Sequence, residues 1–129
     1  MPADGETIGA RIETVRQRIA EACGRSGRDA AGVRLMAVSK TRSPEEIASA
    51  AECGLTLFGE NKVQEAASKI SRCPGTLEWH LVGHLQRNKV RRALQLFTCI
   101  QSVDSRRLID ELDKHASGTT PVLLQINIA

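Results

Sequence analysis

The sequence predicts an α/β fold of the parallel (β/α) barrel type, with about five of the eight strands present. Three observations support this prediction. Short apolar runs recur every 20 to 23 residues, beginning near Leu35, Leu55, Leu77, Cys99 and Val122. Amphipathic helical patterns separate these runs, as βαβ units require. Polar residues follow several of the runs, at the positions where a barrel carries its chemistry.

An opening helix is predicted over residues 1–28. Apolar side chains recur there at helical spacing, at Ile8, Ile12, Val15, Ile19 and Ala22. Gly24 and Gly27 then favour the end of the helix. We interpret residues 33–129 as four βα units followed by a fifth strand. The whole chain, 1–129, is therefore predicted to be one partial barrel domain.

The helices between the strands have recognisable starts and apolar faces. Ser43, Pro44 and Glu46 form a capping box with proline at the first helical position, and Gly54 closes this helix. Three further helices are predicted from the apolar faces of NKVQEAASKI, NKVRRALQLF and SRRLIDELDKHA.

The residues after the strands favour a barrel over an open doubly wound sheet. The first strand is followed by SKTRSP and not by the glycine-rich phosphate loop of doubly wound folds. The polar residues found at strand ends are Lys40, Glu60, Asn61, His84, Ser102, Asp104 and Asn127. Because such a barrel needs roughly 200 residues or more, we expect this sequence to be the amino-terminal part of a longer chain.

Composition narrows the class of protein. No apolar stretch approaches the roughly 18 residues of a membrane span, and MPADGETIGA lacks the features of a secretory signal. We therefore expect a cytoplasmic protein without membrane association. The four cysteines lie far apart without a C-x-x-C pair, which is typical of reduced, buried thiols.

A basic segment, RNKVRR at residues 87–92, accounts for part of the net charge of +3. Composition argues against nucleic-acid binding, because the chain has no Tyr, one Trp and two Phe to stack on bases. A solvated helix face explains the segment better. A basic module that binds nucleic acid or protein stays an alternative.

Lys40 stands where the first apolar strand stops. Side chains alternate along a strand, so that Met36, Val38 and Lys40 share one face and Leu35 lies on the other. If the first face is the barrel interior, Lys40 lies over the barrel mouth. A lysine there, with its stem among apolar groups, suits a Schiff-base nucleophile. A lysine that merely solubilises the strand end is the other interpretation, and the spacing does not decide between them.

Four motifs carry a resemblance to a known family. AVSKTRSPEEI, FGENKVQEA, WHLVGHLQRNK and IQSVDS occur in this order. The chain thereby resembles the pyridoxal phosphate homeostasis protein family (YggS or PROSC type), in its amino-terminal portion only. The resemblance implies a barrel similar to the amino-terminal domain of alanine racemase and of eukaryotic ornithine decarboxylase.

The resemblance also implies a function. It implies that Lys40 forms an internal aldimine, a Schiff base, with the cofactor pyridoxal 5'-phosphate (PLP). It further implies a role in vitamin B6 homeostasis, with delivery of PLP to PLP-dependent apoenzymes and no established catalytic turnover. A racemase-like PLP enzyme of fold type III is the alternative. That enzyme requires a second domain and a catalytic Tyr, and this chain has no Tyr.

Three further residues are predicted near the cofactor. Asn61 resembles a family residue close to PLP, although with Gln64 it also has the spacing of a helix N-cap box. His84 is the better cofactor neighbour of the two histidines in WHLVGHLQ, and His80 is expected to be a satisfied interior residue. Ser102 is predicted to face the mouth. The list of predicted cofactor-binding residues is Lys40, Asn61, His84 and Ser102.

The remaining polar residues near the strand ends receive other roles. No third ligand stands at a matching spacing beside the two histidines, so no metal site is expected. Asp104 or Ser105 is expected to cap the next helix.

Family members hold the phosphate with residues carboxyl-terminal to the stretch present here. Unpaired apolar edges are expected to make the chain self-associate.

Overall fold

The computed structural model describes residues 7–128 as one parallel sheet with helices packed against it. The five strands lie in chain order and every neighbouring pair is parallel. The strands are β1 (Ala37–Val38), β2 (Leu57–Glu60), β3 (Glu78–Leu81), β4 (Cys99–Val103) and β5 (Val122–Leu124). The sheet is not closed, because within the described chain β1 and β5 each pair with one strand only. The predicted partial barrel is confirmed.

Five α-helices accompany the strands: α1 (Ile8–Ser26), α2 (Pro44–Glu52), α3 (Val63–Ile70), α4 (Val90–Leu96) and α5 (Arg106–His115). Short 3-10 turns at Ala30–Gly32 and Arg87–Lys89 precede β1 and α4. The opening helix was predicted from residue 1, and residues 1–6 lie outside the described part of the chain. Among residues 7–128, no helix has the length and apolar character needed to cross a membrane.

Side-chain caps begin three of the helices. The Thr7 hydroxyl accepts the Ala10 amide at 3.1 Å before α1. Ser43 and Glu46 form the predicted capping box of α2, each side chain accepting the other residue's backbone N–H at 3.1 Å. The Ser105 hydroxyl accepts the Leu108 amide before α5. Of the two residues proposed for this last cap, Ser105 is therefore the one that performs it.

The predicted cap at the start of α3 is wrong. Lys62, and not Asn61, occupies the N-cap position, and no side chain there accepts a hydrogen bond from the helix. The amphipathic pattern of α3 is nevertheless as predicted, with Val63 and Ala66 buried. The sheet fixes where this helix begins, because β2 runs to Glu60 and leaves only two residues before Val63.

Strand alternation divides the sheet into two faces. Phe58 and Trp79 lie in register and belong to the apolar core formed with the helices, as do Leu81 and Ile100, which are also aligned. The intervening residues therefore point to the opposite face. That face corresponds to a barrel interior, and its members Val38, Gly59, His80 and Cys99 are aligned across four strands. Val38 is 53% exposed, because nothing in the described chain covers its end of this face.

Candidate functional site

The carboxyl ends of the parallel strands bring the predicted site residues to one edge of the sheet. Lys40 lies two residues after β1, and Asn61 follows β2 directly. His84 lies three residues after β3, and Ser102 lies within β4. In a barrel this edge is the mouth where catalytic and binding residues gather.

Lys40 is exposed at this edge. Within residues 7–128 its ammonium group makes no hydrogen bond or ion pair. The following residue, Thr41, has a φ of 64°, the left-handed conformation that β-branched residues rarely adopt. The backbone turns sharply after Lys40, so that the chain leaves β1 and begins α2 within a few residues. The amine is thus free to react while its backbone is constrained.

Asn61 and His84 line one groove of about 420 Å³ between the ends of β2 and β3. The other lining side chains are mostly polar or cationic: Lys62, Val63, Gln64, Gln86 and Lys89, together with Gly83. A Cβ on Gly83 would lie 2.8 Å from the Asn61 Cα, so this position must remain glycine for the two loops to approach. His84 is open to solvent, with its Nδ1 3.8 Å from the Asp104 carboxylate.

Ser102 is buried, and its position differs from that of the other three residues. Its hydroxyl donates a 2.6 Å hydrogen bond to the carbonyl oxygen of Gly83. The bond ties β4 to the loop that carries His84. A direct contact of Ser102 with a cofactor stays a prediction.

A buried ionic cluster lies beside Lys40. Lys69 reaches from α3 with its side chain only 6% exposed, and Glu60, at the end of β2, is fully buried. The Lys69 Nζ lies 3.1 Å from Glu60 Oε2 and donates at 2.9 Å to the backbone oxygen of Ser39. The Ser39 hydroxyl donates to the same Glu60 oxygen. Burial raises the pKa of Glu60.

Glu65 extends this cluster to the other side of Lys40. Its carboxylate accepts the Thr41 amide at 3.1 Å and lies 3.4 Å from the Lys69 ammonium. The hydrogen bond from the Thr41 amide is the main reason that the pKa of Glu65 lies below its ordinary value. Sequence reasoning missed Lys69. The available signal was the i,i+4 pair Glu65 and Lys69 in a helix whose lysine falls beside the apolar positions Ala66 and Ile70.

A second cluster of polar side chains lies on the inner face of the sheet, at the amino ends of the strands. His80 Nε2 lies 2.7 Å from Glu78 Oε2, and its Nδ1 lies 3.0 Å from the Gln101 amide nitrogen. Arg34 donates to both oxygens of Glu78, which lowers the pKa of that carboxyl to about 2. The interpretation of His80 as a satisfied interior residue is confirmed. In the described portion, no three potential metal ligands come together.

Comparison with known proteins identifies relatives that share one name. The chain is 38% identical over 122 residues to the pyridoxal phosphate homeostasis protein of Aquifex aeolicus, covering 92% of this chain and 54% of that protein. It is 37% identical over 129 residues to the protein of the same name from Escherichia coli K12, covering 95% and 55%. The chain thus spans about half the length of these relatives. No family model matches it.

Solved structures agree with the sequence comparison. PipY of Synechococcus elongatus, solved without PLP, matches with a TM-score of 0.73 and 39% identity, over 88% of this chain and 54% of PipY. The PipY structure with PLP bound gives a TM-score of 0.71 and 40% identity, over 89% and 55%. The predicted resemblance to pyridoxal phosphate homeostasis proteins is therefore confirmed.

Proposed function

We propose that this chain is part of a pyridoxal phosphate homeostasis protein and that it supplies Lys40 as the site of PLP attachment. The observation that carries the proposal is the exposed, unpaired amine of Lys40 at the carboxyl end of β1. Homology to proteins of that name, and to PipY, which binds PLP, supports it.

The residues at the mouth fit the cofactor. PLP carries an aldehyde, a pyridine ring and a phosphate; its aldehyde condenses reversibly with a primary amine, forming a C=N bond and releasing water. Lys40 supplies that amine. Asn61 and His84 offer hydrogen-bonding groups in the neighbouring groove, where they orient a polar aromatic ligand. Ser102 holds the His84 loop through the Gly83 carbonyl.

The proposed role is to hold and deliver the cofactor in the cytoplasm, with PLP-dependent apoenzymes as recipients. Holding the cofactor requires a reactive amine and side chains that orient the bound molecule. Racemase-type turnover also requires an acid or base placed opposite that amine. The resemblance implies no established turnover, and we accordingly expect the full-length protein to show no sustained racemase or decarboxylase activity with common amino acids. Turnover that disappears in Lys40→Ala would replace this proposal by the enzymatic alternative.

Reductive labelling tests the proposal. The natural full-length protein containing this segment is incubated with PLP, reduced with borohydride and mapped by peptide mass spectrometry. We expect the label on Lys40 and its loss in Lys40→Ala. Lys114→Ala is the matched control, because Lys114 is an exposed lysine on α5 outside the lining of that groove, and it should label as the parent does. Full stoichiometric labelling of Lys40→Ala would show that Lys40 is not the attachment site.

A further inference from the structure

We propose that the buried pair Glu60 and Lys69 is a positioning device for Lys40, holding the backbone on both sides of that residue. The inference rests on the proposed function of Lys40. Neither Glu60 nor Lys69 lines the groove at the mouth, so both act through the residues adjacent to Lys40.

The first step concerns the residue before Lys40. Ser39 is 3% exposed and is bound twice by the pair: its carbonyl oxygen accepts from Lys69 Nζ at 2.9 Å, and its hydroxyl donates to Glu60. The strand ladder adds a third link, since the Ser39 amide donates to Gly59 at 2.9 Å. Ser39 therefore has a single position as long as the ion pair is intact.

The second step concerns the residue after Lys40. Thr41 adopts its left-handed conformation at a cost of roughly 1 kcal/mol or more. Its amide is held by Glu65, whose carboxylate is in turn paired with Lys69 at 3.4 Å. One ammonium group thus connects to the backbone both before and after Lys40.

The third step concerns the cost of this arrangement. Removing a lysine and a glutamate from water costs several kcal/mol per ion, and a buried pair is often no more stabilising than apolar residues of similar size. Glu60 Oε1 also has no hydrogen-bond partner in the described structure. Stability alone therefore does not explain the cluster, whereas the control of Lys40 gives it a purpose.

The experiment separates positioning from stability. In the natural full-length protein, Lys69→Met leaves the buried Glu60 carboxylate without its cation, and Glu60→Gln leaves Lys69 with Glu65 as its remaining partner. Both variants should unfold more easily. The double variant Glu60→Leu with Lys69→Met removes both charges and should regain most of the parental stability. We expect it nevertheless to raise the PLP concentration for half-maximal labelling of Lys40 by roughly tenfold or more, because its backbone is no longer fixed.

Two measurements do not depend on PLP. The rate of Lys40 acetylation by acetic anhydride should change in the double variant, and hydrogen exchange at the Thr41 amide should become faster by about tenfold. Arg34→Met with Glu78→Gln is the matched control, since it removes an ion pair at the opposite end of the same sheet. It should leave both measurements at parental values.

Glu65→Ala keeps the inference testable if the double variant fails to fold. Glu65 is 31% exposed, so its loss should be tolerated while freeing the Thr41 amide. Faster hydrogen exchange at the Thr41 amide, together with weaker PLP labelling of Lys40, supports the positioning role of the pair. Parental labelling, acetylation and exchange in a folded variant overturn it. If the parent itself does not label at Lys40, the proposed function fails, and the acetylation and exchange data still decide whether the pair positions Lys40.

Discussion

The ring of Phe58 packs against the ring of Trp79 at a centroid distance of 5.5 Å and an interplanar angle of 35°. Both residues are buried and stand in register on β2 and β3. The contact joins the two strands whose ends form the groove lined by Asn61 and His84. The apolar face of the sheet therefore supports the candidate site directly.

Phe58→Ala should lower the free energy of unfolding by about 3 to 5 kcal/mol, because it leaves a cavity beside Trp79. Phe58→Leu is the matched control, and it should cost less than about 1.5 kcal/mol because most of the volume is retained. Equal decreases in the free energy of unfolding for the two variants would contradict this explanation. The measurement is denaturant unfolding of the full-length protein.

The fold could be predicted from the sequence because each signal for it is local. The capping box at Ser43 and the apolar runs near Leu55 and Leu77 depend on residues a few positions apart. The first strand shows the limit of such signals: LMAVS predicted five residues, and the structure has only Ala37–Val38. An edge strand with one partner has half the possible ladder hydrogen bonds, which local pattern does not reveal.

The site was predicted less completely, since it depends on contacts between distant segments. Lys69 lies 30 positions from its hydrogen-bond partner Ser39, and the local pattern around Lys69 does not indicate which distant residue its amine contacts. Ser102 was expected at the mouth because it lies near the end of its strand. Its hydroxyl donates to the Gly83 carbonyl oxygen, a contact that local pattern does not reveal, because only the tertiary structure brings β4 and the loop after β3 together.

Glu78 should make the free energy of unfolding depend on pH in acidic solution. Its pKa falls from 4.5 to about 2 in the folded chain, mainly because Arg34 donates to it. A lowered pKa contributes stability above the unfolded value, and this stability is lost as the pH falls from about 4.5 towards 2. Because Arg34 is 55% and Glu78 34% exposed, solvent screening limits the contribution to roughly 1 kcal/mol.

Glu78→Gln tests this pH dependence in unfolding experiments at pH 7 and pH 3. The variant should be less stable than the parent at pH 7, and the difference should shrink at pH 3. Glu52→Gln is a suitable control, because Glu52 is an exposed glutamate at the end of α2. A deficit of Glu78→Gln that is the same at both pH values would show that the carboxylate charge is not responsible.

His84→Ala should weaken PLP binding by roughly tenfold in the full-length protein, because it removes a hydrogen-bonding group from the groove. Asn61→Ala should have an effect of similar size. The measurement is a PLP titration followed by borohydride reduction. Arg87→Ala, an exposed change outside the lining of this groove, is the control. Parental half-saturation in both groove variants would remove Asn61 and His84 from the cofactor site.

The free edge of β5 should make the 129-residue polypeptide associate with itself when it is produced alone. In the described structure β5 pairs with β4 on one side only. The apolar side chains in and after this strand are exposed: Val122 39%, Leu123 54%, Leu124 64%, Ile126 74% and Ile128 96%. No charge or proline occurs between Val122 and Ile128. Such an edge is a template for pairing with another chain.

Charge placed on this edge should therefore reduce association. Leu124→Lys combined with Ile126→Lys puts two ammonium groups on the unpaired strand, where a second copy would have to bury them. Ile109→Lys is the matched control, since Ile109 is a 44% exposed apolar residue on α5, away from the edge. Sedimentation velocity at several concentrations should show larger species for the parent and for Ile109→Lys, and mainly monomer for the double variant. A parent polypeptide that sediments as a monomer throughout would show that the exposed edge of β5 does not drive association.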